Sequence, residues 1–161
     1  MKMSGRDVKT AGALPEKGAV FPEFSLLASD NREVTHVDFD GRSKVFFFCE
    51  GPEHEASAKL IVDVAHALDE AGNDVVLIPV ARTAPVEWRR FLSASGLSGV
   101  APLSVGSDVA VPFPVFTSGD NQGALAPGLV FVDDQDEVKA IQLADDADTL
   151  AGLDLALLLK T

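Results

Sequence analysis

The sequence predicts an α/β fold, a single domain with a central mixed β-sheet flanked by helices. Three observations carry that expectation. Residues 45–48, 75–78 and 129–132 are short, almost unbroken apolar runs, which suit strands buried on both faces. Two segments of helical period, residues 56–70 and 85–95, alternate with them. Strands that alternate with helices pair in parallel through right-handed crossovers and carry helices on both faces. The run at 129–132 is followed by a polar turn at 133–136 and a second run at 138–143, so a hairpin adds an antiparallel edge.

Taken in order, residues 1–23 are polar and punctuated by Gly12, Pro15, Gly18 and Pro22. Phe24, Ser25, Leu26, Leu27 and Ala28 read as a strand, ended by the turn formers Ser29, Asp30 and Asn31. Residues 33–39 read either as a second strand or as an irregular link. The helix at 56–70 places Leu60, Ile61, Val64, Ala65 and Leu68 on one side, with Lys59, Asp63, His66 and Glu70 on the other. Gly72 supplies its stop. Pro85 suits the first position of the next helix, Glu87 suits its first turn, and Gly96 ends it. Residues 98–127 are rich in Gly, Pro and Ser, which predicts loops with short strands. Leu150, Leu153, Leu157 and Leu158 mark a final amphipathic helix. There is no internal repeat and no linker, and 161 residues suffice for one domain with a sizeable core.

Composition narrows the function. Thirteen basic residues against 25 acidic ones leave a net charge of -12. That disfavours nucleic acid and anionic membranes as partners, since both need clustered Lys and Arg. No apolar run approaches the ~20 residues of a membrane span. Residues 1–7 lead into no apolar segment of a signal peptide. The single Cys49 forms no internal disulfide. A cytoplasmic location is the expectation, with no cofactor and no metal.

Residues 44–57, Lys-Val-Phe-Phe-Phe-Cys-Glu-Gly-Pro-Glu-His-Glu-Ala-Ser, read as a buried strand running through a loop into a helix. With Phe24 to Ala28 followed by Asp30, Lys44-Val45, Val75-Val76-Leu77, Arg90-Phe91 with Gly96-Leu97, Val100, Leu103-Ser104, and Val130 to Asp133 followed by Gln142-Leu143, they complete a pattern. From about Val8 to Leu159 the chain resembles the bacterial thiol peroxidases. These are atypical two-cysteine peroxiredoxins of the thioredoxin superfamily. The resemblance implies a thioredoxin-like fold of the peroxiredoxin type, with an N-terminal β extension. It also implies a homodimer formed through the loops around the active site.

The family's peroxidatic motif is a proline, three residues, a threonine, two residues, then the cysteine. Aligned through Lys44-Val45, the resemblance puts Glu50 at the proline, His54 at the threonine and Ser57 at the cysteine. It puts Leu92 at the resolving cysteine and Pro127 at the arginine, in the place where thioredoxins hold a cis-proline. Every catalytic position differs. Peroxide reduction needs a thiolate that stores the oxidation as a sulfenic acid, and a serine oxygen is not oxidised that way. The expectation is a binding or regulatory protein, with a protein or small-molecule partner at the vestigial face. The alternative is a thiol-dependent oxidoreductase using Cys49.

The other candidates are weaker. Cys49 reads first as a small buried apolar residue and second as a relocated nucleophile near a helix N-terminus. Glu50, Glu53, His54 and Glu55 could ligate a metal, but carboxylates favour a helix N-terminus for electrostatic reasons alone. Ser57 and His54 lie three apart, yet no nucleophile elbow surrounds the serine. His36 and His66 read as surface residues. Trp88 and the Phe46-Phe47-Phe48 run read as core, although an exposed Trp88, with the segment Pro112, Phe113, Pro114, Val115 and Phe116, would suit a dimer interface.

Overall fold

The computed structural model describes residues 2–3, 6–10, 18–21, 24–39, 41–49, 51–52, 55–70, 75–97, 100–105, 114–116 and 128–143. Two sheets are formed. The larger has seven strands in the order β10-β9-β5-β6-β7-β3-β4. Its strands are β3 (Ser25–Ala28), β4 (Glu33–Thr35), β5 (Ser43–Phe48), β6 (Val75–Ala81), β7 (Leu103–Ser104), β9 (Gly128–Val132) and β10 (Val138–Leu143). The smaller joins β1 (Lys2–Met3), β2 (Arg6–Thr10) and β8 (Pro114–Phe116) in the order β1-β2-β8. The residue pattern at the N-terminus did not reveal β1 and β2, because Arg6, Asp7, Lys9 and Thr10 carry no apolar alternation. The expected β extension is nevertheless present.

The chain runs from β5 through helix α1 (Glu55–Glu70) to β6, then through helix α2 (Pro85–Ser95) to β7. Both connections join parallel strands and step the same way across the sheet. Two right-handed crossovers in one direction put both helices on one face. The core divides accordingly. Val45, Phe47 and Cys49 of β5 and its extension pack with Leu60, Ile61, Val64, Leu68 and Trp88. Phe46 and Phe48 alternate to the other face, with Ile78, Val80, Val130 and Val132. Among the described residues, that second face is covered by Phe21, Phe24 and Phe39 rather than by an α-helix.

Local signals account for most boundaries. α2 starts at Pro85 and ends at Gly96, whose φ of 67° and N–H to the Leu92 carbonyl (2.9 Å) make a left-handed cap. The β3–β4 turn uses Asn31 at φ 67°, while Asp30 accepts from the Arg32 N–H at 3.0 Å. Residues 33–39 divide into β4 and a 3₁₀ turn (His36–Phe39), where Asp38 accepts from the Thr35 N–H at 2.8 Å. β6 continues past Ile78 through Pro79 to Ala81. The proline removes one ladder donor, and the burial of Val80 and Ala81 outweighs it. The expected final helix lies outside the described residues, as do Glu50, His54, Pro127 and the Ala126–Pro127 peptide bond.

Candidate functional site

The strand-to-helix junction is built from the centre of the sheet outwards. β5 is bonded to β6 on one side and β9 on the other, so its end is firmly placed. Cys49 extends this pairing: its N–H donates to the Val80 carbonyl at 3.0 Å. Its Sγ lies 3.7 Å from the same oxygen, and its exposure is 0%. Gly51 follows at φ 135°, a conformation that favours glycine, and is buried. Helix α1 then begins with the exposed Glu55, a favourable charge at a helix N-terminus. Ser57 is the third residue of that helix and is 2% exposed.

The junction therefore puts a serine hydroxyl, not a thiol, in the first turn of α1. Of the remaining aligned positions, Leu92 lies half-buried on α2, its carbonyl receiving the Gly96 cap. Arg90 is exposed and pairs with Glu87 at 2.9 Å. Trp88 is core, as first read, and the alternative of an exposed interface residue is corrected. It is 0% exposed, its indole N–H donates to the Leu103 carbonyl at 3.2 Å, and Phe91 meets it edge to face at 6.1 Å. The period of α2 explains this, because Trp88 is the residue that points at the sheet. No cluster of three metal-ligating side chains occurs among the described residues. None of the described helices is long and apolar enough to cross a membrane.

The structure adds a group that the sequence reading missed. Lys44 is 2% exposed and ion-pairs with Asp136 of the β9–β10 turn. Both line a cavity of about 100 Å³ with Phe21, Phe24, His36 and Phe46. His36 is thus a half-buried wall residue rather than an ordinary surface histidine, whereas His66 is exposed as expected. One signal was available: Lys44 shares the alternation of Phe46 and Phe48 and must enter the same layer. In the same turn, burial alone would raise the Asp133 pKa. The N–H groups of Glu137 and Gln135 and the charge of Lys139 outweigh that and hold it below the ordinary carboxylate value. The Lys139 pKa is raised, chiefly by its hydrogen bond to Glu137.

No family model matches the chain. It is 29% identical over 158 residues to a thiol peroxidase of Corynebacterium glutamicum, covering 95% of this chain and 93% of that protein. Its fold is similar to a thiol peroxidase from Chromobacterium violaceum, with a TM-score of 0.79, 19% identity, and coverage of 95% of this chain and 91% of the other. A peroxiredoxin-like protein from Aquifex aeolicus superposes with a TM-score of 0.78 at 15% identity, over 97% and 93% of the two chains. The fold is thioredoxin-like, of the peroxiredoxin type. Sequence and fold together support homology to the bacterial thiol peroxidases. The α1 junction of this chain holds a buried serine, and the chain's one cysteine lies just past the end of the preceding strand.

Proposed function

We propose that this chain is a thiol-peroxidase homologue without thiol-peroxidase turnover, which acts by binding a protein or small molecule at the vestigial active-site face. One observation carries the reading. The single cysteine is wholly buried on the central strand, while Ser57 occupies the first turn of α1. A thiol that reduces peroxide must meet it and then be reached by a reductant. Cys49 satisfies neither condition in this packing. The aligned changes at Glu50, His54, Leu92 and Pro127 support the same reading, since a proline or leucine supplies no cation and no second thiol.

The competing reading is an oxidoreductase that uses Cys49. A peroxide-consumption assay with dithiothreitol separates the two. The wild type is expected to consume peroxide at the rate of reagent alone, and Cys49→Ser is expected to leave that rate unchanged. Turnover by the wild type that disappears in Cys49→Ser would overturn the proposal.

A further inference from the structure

The start of β5 carries a buried charge that the peroxidase resemblance leaves unused. The Lys44 side chain is 3% exposed, and its partner Asp136 is 32% exposed. They form one wall of the cavity of about 100 Å³, and the rings of Phe21, Phe24 and Phe46 form another. Those rings are already fixed against each other. Phe21 stacks on Phe46 at 4.2 Å, and Phe24 meets Phe46 edge-on at 5.8 Å. The Phe21 N–H is bonded to the Asp136 carbonyl at 2.9 Å, which holds aromatic wall and ionic wall together. The cavity is remote from Ser57. Lys44 lies five residues before Cys49, about 17 Å along an extended strand, and faces the opposite side of the sheet.

We propose that this cavity binds a small neutral molecule bearing a primary carboxamide. The ion pair presents a cationic donor beside an anionic acceptor whose charges cancel, and His36 adds a third polar side chain to the lining. A carboxamide presents an acceptor oxygen and N–H donors side by side, so its oxygen takes a bond from Lys44 Nζ and its N–H gives one to the Asp136 carboxylate. Lys44 has three N–H groups, enough to serve both Asp136 and a ligand oxygen. A carboxylate ligand would set a second anion against Asp136, on a chain of net charge -12. A hydrocarbon would cover the ion pair without bonding it. Size limits the apolar end. A cavity of ~150 Å³ holds benzene, so this one accepts about four or five heavy atoms.

The test is a titration of the full chain, followed by amide chemical shifts, with propionamide and separately with propionate. Propionamide is expected to saturate in the millimolar range, as suits so small a ligand. The shifts should centre on Phe21, Phe24, His36, Lys44 and Asp136 and spare the first turn of α1. Propionate is expected to bind at least ~10-fold more weakly. Asp136→Asn keeps the turn, because asparagine tolerates the φ of 64° found there. It should reverse the preference, with propionate binding at least as tightly as propionamide, since the repelling charge is gone and the Lys44 cation remains. No saturable shift with propionamide overturns the proposal. So does propionate binding as tightly as the amide in the wild type, and so do shifts centred on Ser57.

Discussion

Reagent access to Cys49 gives a direct reading of whether this protein has a usable thiol. The sulfur is fully covered, and it sits where β5 is bonded to strands on both sides. Exposing it requires the layer of α1 and α2 that covers it to lift from the sheet, an opening that disrupts half of the core. A domain of this kind is stable by about 5–15 kcal/mol, and every 1.4 kcal/mol lowers the open population tenfold. Even about 4 kcal/mol of opening free energy slows labelling by about 10³. The assay follows a chromogenic aromatic disulfide reacting with the native protein and with the protein in concentrated guanidinium chloride. The expected native rate is at least ~10³-fold slower, after correction for the reagent's response to denaturant. Native labelling within about tenfold of the unfolded rate would show that the thiol is reached without unfolding, and the burial argument against catalysis would fail.

Other measurements test the remaining structural claims. Trp88→Phe removes the bond to the Leu103 carbonyl and leaves a partly empty site, so denaturant unfolding should show a loss of about 2 kcal/mol; a change within about 0.5 kcal/mol would mean that the indole is not core. The Asp133 pKa is lower in the folded chain than in the unfolded one, so its contribution is present above the unfolded carboxylate pKa of about 4 and is lost as pH falls through the folded value. Asp133→Asn should therefore destabilise at neutral pH and converge with the wild type in acid, and a constant difference across pH would refute this. We also propose a homodimer formed through the loops around Ser57 and strengthened by salt, since screening relieves repulsion between chains of charge -12. Light scattering that gives 16.9 kDa at low and high salt alike would exclude it.

The elements of the large sheet were legible because their signals are local. The unbroken run before Cys49 could be satisfied only by a strand covered on both faces. Leu60, Ile61, Val64 and Leu68 could be buried together only on a helix. Pro85 and Gly96 bounded α2 through backbone geometry that needs no tertiary partner. β1 and β2 were not legible in their residues, since paired strands at a polar edge need no apolar alternation. The choice between core and interface for Trp88 fell to core for a related reason: sequence shows that a large aromatic lies on a helix, and the helix phase against the sheet decides whether it is covered.

The same division holds for function. Sequence alone established that one cysteine exists, that residue 57 is a serine, and that the chain is strongly acidic. These are statements about which atoms are present, and no folding changes them. Only the tertiary structure decided that the one thiol is covered, because burial depends on strands and helices far apart in the chain. It also decided that Lys44 meets Asp136 across 92 positions of sequence to form a polar wall beside three phenylalanine rings. Pairing at that separation is set by the order of the strands in the sheet, a property that no local window of residues contains.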